Sequence, residues 1–142
     1  MSGDRIRGMD VSHWTGLVNW RQAKERSGIN FGIVKATQGD RYIDDTFDTN
    51  WTSLRRENMI RGAYHFFEPK VDPVAQADHY WNVAGAVLHS SDIPPALDIE
   101  YYPDYIRREY DAFSVNQRMK RIQACLERLE AHAGRKPVVY TS

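Results

Sequence analysis

Cysteine is nearly missing from this chain. Cys125 is the only one in 142 residues, which excludes an intrachain disulfide framework, and no Cys/His spacing resembles a zinc site. Cys125 is read as a core residue. An excess of one charge is missing too: 19 basic residues balance 19 acidic ones, so nothing electrostatic points to nucleic acid, an anionic membrane or a polyanionic substrate. No run of about 18 apolar residues could cross a bilayer. The N-terminal stretch MSGDRIRGMD has no apolar h-region, so the expectation is a soluble chain without an export signal. Repeats, low-complexity tracts and linkers are absent as well, which leaves a single domain over residues 1–142. What is present in quantity is aromatic: four Trp, eight Tyr and five Phe, either core filler or a groove that stacks on sugars or peptides.

Five apolar segments of strand length recur: IRGMDV (6–11), FGIVKAT (31–37), IRGAYHFF (60–67), PPALDI (94–99) and PVVYTS (137–142). Most are continuously apolar, the pattern of strands covered on both faces. Helical patterns lie between them. NWRQAKERSG reads as a short helix stopped at Gly28, and Phe47, Trp51 and Leu54 recur at helical spacing. Asp72 before Pro73 makes an N-cap and first-turn proline, with Ala77, Tyr80, Trp81, Ala84 and Leu88 along one face. The last helix is the clearest: Ser114 and Gln117 form a capping box, Val115, Met119, Ile122, Leu126 and Leu129 make the stripe, and Gly134 is the stop. Alternating strands and helices mean a parallel sheet of right-handed crossovers, hence a doubly wound sheet or a (β/α) barrel. No glycine-rich phosphate loop follows the first strand, where DVSHWTG stands instead, so a nucleotide-binding sheet loses ground.

In such folds functional groups gather where the chain leaves the C-terminal ends of the strands. Those ends carry Asp10 and Ser12, Lys35 and Thr37, Tyr64 and His65, Asp98 and Glu100, and Tyr140. Asp98 and Glu100 share one strand face, separated by Ile99. Crowded carboxylates in a dry cleft cannot all ionise cheaply, so one stays protonated beside a charged partner. That arrangement suits glycosidic cleavage, in which an acid protonates the leaving oxygen while nearby negative charge supports the transition state. A solvated strand end or a divalent-metal site would use the same spacing. His65 is read as structural.

The ordered pieces GMDVSHWTG, the Trp of VNW, FGIVKATQG, RGAYHFFEP, PPALDIE and KPVVYTS resemble the glycoside hydrolase family 25 lysozymes, muramidases of the Chalaropsis type, over nearly the whole chain. The resemblance implies an α/β fold, an irregular (β/α) TIM-like barrel, and cleavage of the β-1,4 bond between N-acetylmuramic acid and N-acetylglucosamine. By position, Glu100 is the catalytic acid, Asp98 its partner and Asp10 the first-strand carboxylate. Lys35, Tyr42, Tyr64, Phe66 and Tyr140 fall where the family lines its sugar groove. Asp98 either acts directly as nucleophile or stabiliser, or orients the substrate's 2-acetamido group; the second role is preferred. The implied partner is bacterial peptidoglycan, reached outside the cell or at the wall by a phage lysin or secreted enzyme, with no nucleic acid, membrane insertion, metal or cofactor. Two readings compete with the muramidase: a non-catalytic glycan-binding remnant, and a glycosidase of chitin-like N-acetylglucosamine polymers.

Family members continue past the strand that closes this sequence. The expectation is therefore a barrel truncated after its fifth strand, either a fragment or a chain whose open edge pairs with another copy. Asn58 stands where the family commonly has glycine, and asparagine tolerates a left-handed backbone. The Tyr- and Arg-rich stretch EYYPDYIRREYDAF after Glu100 is read as a substrate-facing loop.

Overall fold

Each apolar segment becomes a strand; four are trimmed at their ends, and the second runs one residue further, to Gln38. In chain order the elements are β1 (Gly8–Val11), α1 (Trp20–Ser27), β2 (Phe31–Gln38), β3 (Tyr42–Ile43), α2 (Phe47–Arg56), β4 (Ile60–Phe66), α3 (Pro73–Tyr80), β5 (Ala96–Ile99), α4 (Asp104–Asp111), α5 (Val115–Ala133) and β6 (Val138–Thr141). The computed structural model describes residues 5–142; residues 1–4, part of the stretch read as lacking a leader, lie outside the described residues. The sheet runs β1-β2-β4-β5-β6 with every neighbouring pair parallel, and the two-residue β3, which the apolar pattern did not reveal, pairs antiparallel with β2. This is an α/β molecule whose parallel sheet curls into a half-barrel. Coverage by helices is uneven: β2, β4 and β5 are largely buried, whereas every residue of β6 is exposed.

The helices begin and stop where capping chemistry dictates. Asn19 accepts from the Gln22 N–H, Asp72 accepts from the Ala75 N–H ahead of Pro73, and Ser114 and Gln117 complete the capping box of α5. Gly28 and Gly134 end α1 and α5 in the left-handed region. Asn58 also adopts a positive φ of 53° in the turn before β4, as its short polar side chain allows. The regular part of α3 ends at Tyr80 and continues as a π-helical turn over Trp81–Gly85.

Two expectations are corrected. The stretch after Glu100 contains a full helix, α4, rather than a loop: Ile106 and Tyr110 are both buried and set its inner face four residues apart. On α5, Val115 and Met119 are 67% and 59% exposed, and the packed stripe runs instead through Ile122, Cys125, Leu126 and Leu129. The core between sheet and helices holds Trp20, Leu54, Phe47, Phe67, Tyr80, Leu97, Ile106 and Leu129. Packing is close enough that a Cβ at Gly32 would stand 2.7 Å from the Trp20 ring, which explains a glycine in the middle of a buried strand.

Beneath the sheet, at the N-terminal ends of β4 and β5, Arg61 pairs with Asp92 at 3.1 Å, donates to Trp51 O and lies over the Trp51 ring at 3.9 Å. On the helical side, Asp78 of α3 accepts from Arg128 of α5 and lies 2.6 Å from His132 Nε2, whose ring stacks on Trp81. These contacts lock α3 against α5, so the strands they cover are held from behind while their C-terminal ends stay open.

Candidate active site

Parallel register sets the site. Gln38, Phe66, Asp98 and Tyr140 stand level across β2, β4, β5 and β6, and Lys35, Tyr64, Ala96 and Val138 stand level two rows before them. The two-residue side-chain period puts Tyr64 and Phe66 on one face of β4, and Ala96 and Asp98 on one face of β5. On β2, Lys35 and Gln38 are three apart and would point to opposite faces. A bulge between Lys35 and Thr37 absorbs one residue, and both side chains then reach the same side, where Lys35 Nζ donates to Gln38 Oε1 at 2.7 Å. Bulges that re-aim side chains in this way are common beside functional sites.

Two confluent cavities open on this face. One of about 180 Å³ is lined by Asp10, Tyr64, Asp98, Glu100 and Tyr140, with Ile33, Ala96, Leu97, Val138 and Val139 beneath. The other, a groove of about 860 Å³, shares Tyr64, Asp98 and Glu100 and adds Lys35, Tyr42, Phe66, Ser12, His13, Trp14, Gln38, Glu68, Tyr102, Pro103 and Tyr105. All eight residues that the resemblance assigns to catalysis or to the sugar groove line one cavity or the other. Asp98 is buried, Tyr64 and Phe66 are half-buried, and Tyr140 is exposed. Thr37 and His65 turn the other way. Thr37 Oγ1 lies 2.7 Å from His65 Nδ1, and His65 Nε2 lies 2.9 Å from Gln76 Oε1. Gln76 spends its amide on Glu68 O and Val71 O, so His65 donates from Nε2 and accepts at Nδ1. Burial pulls its pKa down to about 4; it is a neutral structural imidazole.

Acidic side chains outnumber basic ones in the site. Burial first, then the Glu100 charge and a hydrogen bond between the two carboxyl groups, push Asp98 up to about 8, with Asp10 adding to the effect and Lys35 opposing it. The Asp98 carboxyl therefore keeps its proton at neutral pH. Its Oδ1 is buried without a hydrogen-bond partner, while the Asp98 carbonyl accepts from the Phe67 N–H at 3.0 Å. Burial, followed by the charges of Asp98 and Asp10, lifts the Tyr64 phenol well above its ordinary range. Burial lowers Lys35, although Asp44, Asp98, Glu68 and Glu100 pull the other way. Lys35 sits 5.3 Å from the Tyr42 ring centroid and 5.0 Å from that of Phe66. Among the described residues, no three His, Cys, Asp or Glu side chains are grouped so as to hold a metal ion. A protonated carboxyl, a second carboxyl two residues on and a wall of aromatic rings can hold a sugar and deliver a proton to a glycosidic oxygen.

Several groove residues were not singled out from sequence. Gln38 and Glu68 lie one to three residues beyond the strand-end positions considered, joined by a 2.6 Å hydrogen bond, and Gln38 also donates to Tyr105 Oη. Extending the strand-end rule by a turn would have found both. Tyr102 and Tyr105, by contrast, lie in the stretch read as substrate-facing, and they line the groove from the approach to α4 and its first turn. Asp44, just after β3, carried no periodic signal; it is buried, and although burial opposes its ionisation, hydrogen bonds from the His13 N–H, Thr46 and the His13 ring hold it below the usual carboxylate range.

A model of the glycosyl hydrolases family 25 matches residues 9–142. The chain is 37% identical over 139 residues to Lysozyme M1 of Streptomyces globisporus, a match covering 96% of this chain and 46% of that protein. Among solved structures, a family 25 glycosyl hydrolase from Bacillus anthracis matches with a TM-score of 0.86 at 29% identity, covering 99% of this chain and 62% of that one. A bacterial lysozyme from Streptomyces coelicolor matches with a TM-score of 0.84 at 36% identity, covering 96% and 62%. The chain spans about half the length of the curated relatives it matches.

Proposed function

The chain belongs to the glycosyl hydrolases family 25, and from that premise we propose that it is a muramidase cleaving the β-1,4 bond between N-acetylmuramic acid and N-acetylglucosamine in bacterial peptidoglycan. The observation that carries the reading is the carboxyl pair at the end of β5: Asp98 holds a proton up to about pH 8 beside Glu100, in a cavity walled by Asp10, Tyr64 and Tyr140. Neither a solvated strand end nor a core position accounts for two acids kept this close. The half-barrel is read as the wall of an irregular (β/α) barrel, with the site at its mouth, and the place of action as the cell wall.

In this mechanism the pair supplies one proton. Glu100, at the more exposed end of β5, passes it to the glycosidic oxygen as the bond to the anomeric carbon breaks. Asp98, then ionised, holds the substrate's 2-acetamido group so that its oxygen attacks the anomeric carbon and forms an oxazolinium ring. Glu100, now a carboxylate, takes a proton from the incoming water, which opens the ring and restores the acid, with net retention at the anomeric carbon. Asp10 adds negative charge on the far wall, and Lys35, Tyr42, Tyr64, Phe66 and Tyr140 hold the sugars.

The test is release of reducing ends from purified cell walls, with Glu100→Gln as the control. The unmutated chain is expected to clear the walls, and loss of the acid is expected to slow clearance about 100-fold or more. Binding without release by the unmutated chain would sink the enzyme reading, and undiminished lysis by the variant would remove Glu100 from its role.

A further inference from the structure

We propose that Trp14, fixed by His13, forms a stacking subsite for a sugar of the glycan chain beyond the bond that is cut. The proposal rests on the glycan-cleaving reading above and adds to it a determinant of substrate length. Exposure alone would not carry it, since single exposed apolar side chains are ordinary on protein surfaces. Trp14 is 86% exposed, but it is also held. Its ring packs on His13 with centroids 4.6 Å apart and planes tilted by 40°, and its backbone N–H donates to Ser12 Oγ in a turn closed by Thr15 N–H to Ser12 O.

His13 is itself pinned from below. Its backbone N–H donates to Asp44 Oδ2 at 2.9 Å, its Nδ1 lies 2.9 Å from the same oxygen, and Tyr42 Oη is 3.0 Å from Nδ1. Asp44 is only 2% exposed, and its other oxygen accepts twice from Thr46. A buried carboxylate thus fixes an imidazole that fixes an indole. With Nδ1–H turned to Asp44, Nε2 is the ring's remaining polar atom and can accept from a sugar hydroxyl. An aromatic face beside one acceptor is the chemistry of a pyranose site, and holding it rigid before binding spares the ordering cost.

Size agrees. The cavity around the carboxyl pair is about 180 Å³, whereas the groove that runs on to Trp14 is about 860 Å³. The difference is room for chain beyond the reacting bond.

The experiment uses soluble glycan strands of two and of six sugars prepared from peptidoglycan, bound to the Glu100→Gln chain so that nothing turns over. Of the other three tryptophans, Trp20 and Trp51 are 1% and 4% exposed, and the half-buried Trp81 is stacked on His132 and lines neither cavity, so a ligand-induced change in tryptophan fluorescence reports mainly on Trp14. The six-sugar strand is expected to shift the fluorescence and the two-sugar strand to leave it nearly unchanged. Adding Trp14→Ala is expected to abolish the shift and weaken the six-sugar strand roughly tenfold while leaving the two-sugar strand as it was, with Trp14→Phe in between. Calorimetry supplies affinities independent of the fluorophore, and an unchanged circular dichroism spectrum confirms the fold. Equal affinity of the six-sugar strand for both chains would overturn the subsite. Failure of the unmutated chain to release reducing ends, with the length-dependent binding intact, would overturn catalysis and leave the subsite standing; no binding of either strand would overturn both.

Discussion

A carboxyl group that keeps its proton to about pH 8 costs the folded state something, and the cost has a sign. Asp98 ionises near 4 in an unfolded chain, so between about pH 4 and pH 8 the native state binds a proton that the unfolded state has released. Stability from this group is present at low pH and is lost as pH rises through the folded pKa. Replacing it with asparagine removes the titration. The Asp98→Asn chain is therefore expected to gain in Tm over the parent as pH is raised from 4 to 8, by roughly 3 °C for each kcal/mol recovered; thermal unfolding across that range checks it, and a constant difference would contradict it. On the proposed mechanism, turnover follows the same proton. Wall lysis is expected to fall on an alkaline limb near pH 8, and because Lys35 opposes the rise in Asp98, Lys35→Met is expected to move that limb to higher pH whatever it does to the maximal rate.

Among the helices, α1, α3 and α5 were legible from end signals and α2 from its apolar spacing alone, although no side chain caps its start; α4 offered neither. Asn19, Asp72, Ser114, Gly28 and Gly134 mark helix ends through chemistry confined to a few residues, which a sequence displays directly. α4 has no side-chain cap at its start, and its buried residues, Ile106 and Tyr110, lie in a stretch crowded with Tyr and Arg, so its composition resembles a loop. The β2 bulge is invisible for a different reason: it depends on the register of β4 beside it. Val115 and Met119 have the right spacing on α5 but stay exposed, so periodicity alone overstated the buried stripe. The capping box gives a measurable expectation. Ser114→Ala removes the acceptor for the Gln117 N–H and is expected to cost about 1 kcal/mol, a fall of roughly 3 °C in Tm, with lysis of the folded chain unchanged. A loss of activity without a loss of stability would mean that α5 reaches the site in some way its cap does not explain.

At the scale of the whole molecule, the two ends of the sheet do different work, and the strand-end rule made one end legible without contacts. Every carboxylate and aromatic residue chosen from strand ends lines the open face, because a parallel sheet sends all its exits one way. Trp14, Asp44 and Glu68 were not chosen because they lie in the loops beyond, where position depends on tertiary contacts rather than on period. The opposite end carries Arg61 and Asp92, a buried ion pair capped by Trp51, far along β4 from the carboxyl pair. Asp92→Ala leaves the Arg61 guanidinium buried without its counter-charge and frees the His89 N–H that Asp92 also accepts, an expected loss of about 3 to 5 kcal/mol and on the order of 10 °C in Tm. Well below the new Tm, kcat/KM per folded molecule is expected to stay within about twofold of the parent, because distant sites act nearly independently. Asp98→Asn should do the reverse, raising Tm near pH 8 while abolishing turnover. Calorimetry and wall lysis on the two variants side by side separate these outcomes: if Asp92→Ala lowered kcat/KM as steeply as stability, the closed end would be shaping the open one, and the division of labour along the strands would be wrong.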